Sequence, residues 1–301
     1  MNMTVKTRYE FGRHETFSLR EGWLDKGLAH AIAANGFKAD VETADALGLG
    51  KNMAKSLQFW IEATGLAARG QGEEGRSTGL TVSDFGRLVA STDQHFEYAI
   101  STWFVHMILA RRTGTVWNWF FNDFRSGVFD RETCVEGLLR HVRDHAVNQT
   151  TITVLQREVA CILGTYASLP ASEAQDPEDF TISPLRTLGL LVKHTDTGRF
   201  EKTAPLDAVP VEAFLACVQW NVSDADTETL PLSDLISRRG SPARLFNIDG
   251  DTINELAHAA AEEYGDRGVR LSLLGSTRTI TMPRMAASEW YSLHFKRIGA
   301  R

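Results

Sequence analysis

Residues 44–61 constrain this chain more than any other stretch. Ala44 to Leu47 is a short helix-forming run, Gly48-Leu49-Gly50 is a turn, and Lys51 to Ile61 is a second helix. Glycines at 48 and 50 break the first helix, because a helix interior costs glycine the most backbone entropy. In the second helix Met53, Leu57, Trp60 and Ile61 recur at i, i+4, i+7 and i+8 and form one buried stripe. Lys51, Asn52, Lys55, Ser56 and Phe59 are then left for the opposite face. A helix, a glycine turn and a second helix opening on Lys and Asn make the pattern of a helix-turn-helix, whose second helix enters a DNA groove. Gly65 after Thr64 predicts the C-cap. A glycine-rich polar loop follows at 69–77, carrying Arg69 and Arg76. A short strand at Leu80-Thr81-Val82 and a helix capped by Ser83-Asp84 complete the pattern expected of a winged variant.

The chain is acidic overall, at −6 over 301 residues, but unevenly so. Residues 166–236 carry 4 basic and 12 acidic groups (−8), whereas residues 237–301 carry 10 and 7 (+3). This balance argues against a general coat of DNA affinity, which needs many phosphate contacts. It leaves room for a local basic face. Cys134, Cys161 and Cys217 are odd in number and widely spaced, with no C-x-x-C, so neither a disulfide framework nor a zinc finger is expected. No apolar run approaches the ~20 residues of a membrane span. No apolar signal region follows Met1, so a reducing cytoplasm is the expected compartment.

Elsewhere the pattern predicts mostly helices. Helices are expected over 25–35, 94–111, 132–142, 153–166, 210–219 and 252–264. The aromatic clusters around Trp103 and around Trp117 to Phe124 read as core. Helices 132–142 and 153–166, parted by a polar break at 148–151, resemble a second helix-turn-helix unit with Gln156 and Arg157 outward. Residues 168–180 read as a linker. Asp196-Thr197-Gly198 marks a hairpin, and two further strands are expected at 269–274 and 279–282.

No complete phosphate loop, nucleophile elbow or H-E-x-x-H helix is present. The strongest chemical candidate is Arg13-His14-Glu15 with Arg20. A His beside a carboxylate can act as a general base, and Arg can stabilise charge on a phosphoryl group. The alternative is a buried polar network tying the N-terminal arm to the body. Asp249-Gly250-Asp251-Thr252 offers hard oxygen donors, but also a helix cap, with Thr252 and Glu255 as a capping box. His141 and His145 share a helix face without an evident third ligand. Arg238-Arg239-Gly240-Ser241-Pro242-Ala243-Arg244 is a basic loop suited to phosphate or to solvent.

Four stretches together resemble a known family: Phe11 to Gly27, Leu47 to Met53, Ser183 to Leu190, and Ser241 to Phe246. They are similar to the SspB-like family of bacterial DNA phosphorothioation operons. The resemblance implies a DNA nickase in a phage-defence system, opening the backbone for sulfur incorporation. It implies a cysteine desulfurase, a sulfur-transfer ATP pyrophosphatase and an ATPase as partners. A metal-dependent cut would use Mg2+ or Mn2+; nothing points to zinc, nucleotide or flavin.

The expectation is therefore a mainly α protein with small β-hairpins (α+β). A winged helix-turn-helix would fill residues 1–92, a helical unit 93–167, and an α+β unit 181–301. Lys51, Asn52, Lys55, Ser56, Arg69, Arg76, Arg238, Arg239 and Arg244 would face DNA. Arg13, His14, Glu15 and Arg20 would carry any chemistry. The rival reading is a DNA-binding regulator or scaffold without chemistry.

Overall fold

The computed structural model describes residues 6–70, 79–169, 183–222 and 229–299. Arg76, the tip of the expected wing and most of the expected linker fall outside these residues. The chain is α+β and mostly helical, with three small sheets among the described residues.

The N-terminal part is built around one tight helix crossing. Helix α1 (Trp23–Ala33) buries Trp23, Leu24, Gly27, Leu28 and Ala31, a stripe at helical spacing. A Cβ on Gly27 would lie 2.7 Å from Ile61 Cγ2, so the missing side chain permits the close approach to the next long helix. Helix α2 (Val41–Leu47) begins where the Asp40 side chain accepts from Thr43 N, and ends at Gly48 in the left-handed region. Helix α3 (Lys51–Ala63) follows without a side-chain cap, and Gly65 leaves it with φ 77°. Strands β1 (Ala67–Arg69) and β2 (Leu80–Val82) pair antiparallel, and Phe37 adds a bridge to Leu80. Helix α4 (Asp84–Thr92) is capped by Ser83.

Ser56 is a correction. It was expected beside Lys55 on the outer face, yet it is fully buried, as is Phe59. For Phe59 the N-terminal arm supplies the reason. It packs on a second flank of α3, with the His14 ring 6.1 Å from Phe59 and the Trp60 indole N–H donating to Phe17 O. Only Lys51, Asn52 and Lys55 of the predicted contact residues on α3 stay exposed.

Helix α5 (Ala99–Arg111) is apolar on every side and buries ten of its thirteen residues, which makes it the central helix. Helix α6 (Val116–Asn122) packs on it, capped by Thr115. Strand β3 (Val128–Phe129), α7 (Arg131–His145), α8 (Ile152–Tyr166) and β4 (Ala167–Ser168) follow. A 3-10 turn at Pro184–Leu188 leads to β5 (Leu191–Lys193) and β6 (Phe200–Lys202), the predicted hairpin. Its strands complete a four-stranded sheet in the order β3-β6-β5-β4, so the sheet crosses the boundary expected at 168–180.

Helix α9 (Val211–Val222) is buried along nearly its whole length. Strand β7 (Thr229–Pro231), α10 (Leu232–Ser237), α11 (Pro242–Phe246) and α12 (Gly250–Tyr264) lead to β8 (Arg270–Leu274) and β9 (Thr277–Thr281), ordered β7-β9-β8. Asp249 caps α12 by accepting from Thr252 N and Oγ1, so the cap residue is Asp249 rather than Thr252. The last helix, α13 (Ala287–Ile298), was not expected. It packs on α9, where the fully buried Glu212 accepts from the Arg297 guanidinium, the Tyr264 hydroxyl and the His294 ring. Among the described residues no helix is long and apolar enough to cross a membrane.

Candidate nucleic-acid interface

The arm motif folds as consecutive tight turns. Gly12, Glu15 and Thr16 have φ of 72°, 49° and 69°, and Phe17 N donates to His14 O. Left-handed backbone at non-glycine residues is strained and holds only when the surroundings fix it. Here the fixing group is Glu158 of α8, itself 1 % exposed. Its Oε1 accepts from Gly12 N at 2.6 Å and lies 3.2 Å from His14 Nε2. His14 is also 1 % exposed and meets Trp117 edge-on.

His14 and Glu15 therefore do not converge as a base and its carboxylate. His14 points inward to Glu158, and the side chains of Arg13 and Glu15 point outward. Glu15 Oε1 lies 3.7 Å from Lys55 Nζ on α3. Arg20 stands apart from this turn, its guanidinium 5.5 Å from the Phe17 ring centre and 5.4 Å from that of Trp23.

Glu62, on the outer face of α3, gathers the arginines. It receives Arg13 at 2.7 Å, Arg69 at 3.0 Å and Arg112 at 3.6 Å. Glu10 bonds Arg112 at 2.9 Å and Arg13 at 3.2 Å. Burial pushes the Glu62 carboxyl up, but hydrogen bonds and charge from Arg69 and Arg13 outweigh it and hold the group below the usual range. Beside this network lies an open cleft of about 520 Å³ whose walls include Glu62, Arg69, Arg111, Arg112 and Trp220.

The C-terminal basic loop joins the same region through backbone contacts. Arg111 donates to Trp220 O and Gly240 O, and Gly240 N donates to Asn122 Oδ1. Arg239 pairs with Asp123 and bonds Asn118, while Arg244 donates to Asn122 O at 2.7 Å. Burial and the nearby Arg125 lower the Arg244 pKa. Arg239 and Arg244 thus spend donors on the end of α6, and Arg238 is left exposed to solvent.

Sequence reasoning missed Glu10, Glu62, Arg111, Arg112 and Trp220. The one available signal was Arg111-Arg112 ending an otherwise apolar helix and followed by Thr113-Gly114. Glu62 carried none, since a single carboxylate late in a helix reads as a solvated group.

A protein-family model of proteins of unknown function, DUF4007, matches residues 11–286. The chain belongs to the DUF4007 family. Two solved structures have the same fold across nearly its whole length. One is a magnesium ion-bound SspB crystal structure, with TM-score 0.80, 22% identity, and 96% of this chain and 87% of that chain covered. The other is an SspB crystal structure, with TM-score 0.79, 21% identity, and 98% and 89% covered. No curated protein matches.

The described metal donors of this DUF4007 chain are dispersed. Among the described residues, no group of three or more His, Cys, Asp or Glu is arranged to hold an ion. Glu10, Glu62 and Asp123 are committed to arginines, and Glu158 to Gly12 and His14. A protein-only cage does not fit these positions. His141 and His145 stack at 4.3 Å, and burial followed by the His145 charge pulls His141 down to about 4. The three thiols are buried, and burial pushes Cys134 and Cys217 up to about 12, which leaves neither as a thiolate nucleophile.

Proposed function

We propose that this protein is the DNA-engaging component of a bacterial DNA phosphorothioation and phage-defence system. In this reading it nicks one strand to open the backbone for sulfur incorporation. The observation that carries the proposal is the fold shared with SspB over 96% of the chain. Its partners would be a cysteine desulfurase, a sulfur-transfer ATP pyrophosphatase and an ATPase. Mg2+ or Mn2+ would be supplied with the DNA.

The arginine network supports this reading from the residues upward. Lys51, Asn52 and Lys55 of α3 would meet a groove, in the manner of a helix-turn-helix with β1 and β2 as a wing. Arg13 and Arg69, held by Glu62, would meet phosphates on its flank. Arg20, Arg238 and the outward parts of Arg239 and Arg244 would extend the contact. Glu15 and Arg13 are the outward members of the arm motif, so they are the proposed groups at the backbone. His14 is proposed as the residue that positions them.

A second reading is favoured by one observation: His14 is buried, and the carboxylates around it are already paired. It makes the protein a DNA-binding scaffold or regulator without chemistry. Incubation with supercoiled plasmid and Mg2+ or Mn2+ separates the two. Open-circle product that is lost in Arg13→Ala and Glu15→Ala, with unchanged thermal melts, supports the nickase. Protein that shifts the plasmid in a gel and never nicks it supports the scaffold.

A further inference from the structure

We infer that the cleft between α3, the end of α5, β1 and α9 binds one unpaired nucleotide of a DNA strand. This rests on the nucleic-acid reading above and names the form of DNA that the site takes. Three observations carry it. The cleft has a volume of about 520 Å³, within the ~300–1,000 Å³ of small-ligand sites.

Its charge selects an anion. Among the described residues, the lining sets Arg69, Arg111 and Arg112 against Glu62, an excess of two positive charges, while Arg13 and Glu10 beside it pair with each other. Glu10 holds Arg112 through both carboxylate oxygens, at 3.1 and 2.9 Å, which fixes the guanidinium before any ligand arrives. Fixed arginine forks match phosphate oxygens with little further loss of freedom.

Its wall selects an aromatic group as well. The Trp220 indole lines the cleft, with the Arg111 guanidinium 5.5 Å from its ring centre. Trp and Arg planes are surfaces on which bases stack. A bare phosphate would leave this wall unused. A base inside a duplex has both faces covered by its neighbours, so only an unpaired nucleotide offers phosphate and ring together.

The test uses the full chain and fluorescence anisotropy with two probes: an oligothymidylate of about twelve nucleotides, and a blunt duplex of the same length. Ala68 is exposed on β1 and lines the cleft, so Ala68→Trp fills the space at a position where aromatic residues suit a strand. We expect Ala68→Trp and Trp220→Leu to weaken oligothymidylate binding roughly tenfold and to leave duplex binding within about twofold, with melting temperatures close to wild type for Ala68→Trp. Thymidine 5′-monophosphate should compete with the oligothymidylate in the wild type and lose that effect in Ala68→Trp. Unchanged oligothymidylate binding in Ala68→Trp overturns the inference while duplex binding upholds the broader reading. Equal weakening of both probes overturns it too. If the wild type binds neither probe, the nucleic-acid reading itself fails.

Discussion

Arg13 Nη2 donates to Glu62 Oε2 at 2.7 Å, and this contact joins two stretches that the sequence offers as separate sites. Arg13 belongs to the arm motif, and Glu62 lies near the end of α3, five residues before the hairpin carrying Arg69 begins. One carboxylate therefore sets the spacing between the arm and the proposed DNA helix. Removing it leaves the arginines of the network without their shared acceptor. Glu62→Ala is expected to lower unfolding free energy by about 2 kcal/mol, the scale of a hydrogen bond to a charged group. Glu62→Gln should cost less. Urea unfolding of both variants checks the order; equal, negligible losses would remove Glu62 from the account.

The exposed face of α3 makes its own prediction. Lys51 and Lys55 are the only cations on it, and each would neutralise about one phosphate. Lys51→Glu with Lys55→Glu should weaken duplex binding and flatten the plot of log affinity against log salt by about two contacts. Glu15→Gln should act the other way, since Glu15 lies beside Lys55 and repels a phosphate there. An unchanged slope in the double variant would move the DNA elsewhere on the surface.

His106 gives the fold a pH dependence with a definite sign. It sits fully buried between α5, α8 and α11, with Nδ1 2.8 Å from the Tyr166 hydroxyl and Nε2 2.8 Å from Leu245 O. The carbonyl can only accept, so Nε2 carries the proton and Nδ1 accepts from the hydroxyl. Burial pulls the ring down to about 4. Between about 4 and the ordinary ~6.5 the unfolded chain binds a proton that the folded chain does not. Stability is thus complete above pH ~6.5 and falls as pH drops, by on the order of 3 kcal/mol across the window. Melting temperature against pH for wild type and His106→Gln checks this. The variant should start less stable and show a shallower fall over that range.

Most helices were legible because their stripes repeat at 3.6 residues and their caps are local. Asp40, Ser83 and Thr115 each accept from a backbone N–H at the start of their helix. What was hidden is contact between distant segments. Phe59 reads as exposed until the arm is laid over α3, and nothing within residues 51–61 announces the arm. Helix α13 went unseen although Trp290, Tyr291 and Phe295 are buried, because no side chain of its N-cap residue marks the start. Its anchor, Glu212, lies far away on α9. The candidate site was half legible for the same reason. Arg13, Lys51, Lys55 and Arg69 stand in patterned stretches, whereas Glu62, Arg112 and Trp220 gain meaning only when α3, α5 and α9 meet.

His14 and Glu158 offer the sharpest test of what the arm motif is for. If the pair acts by holding the turn, its loss should disturb Arg13 and Glu15 together. His14→Ala removes a buried ring and leaves Glu158 without its neighbour, a change expected to cost about 3 kcal/mol. Glu158→Gln keeps the shape and an acceptor for Gly12 N, so it should cost about 1 kcal/mol. Direct chemistry by the buried pair would abolish nicking in both variants while plasmid affinity stayed intact. A positioning role predicts partial nicking in Glu158→Gln at wild-type pH dependence, and in His14→Ala a loss of nicking that follows the unfolded fraction. Rate against pH for Glu158→Gln, taken with its melting curve, decides between them. A shifted pH profile in a fully folded Glu158→Gln protein would place the pair in the reaction itself.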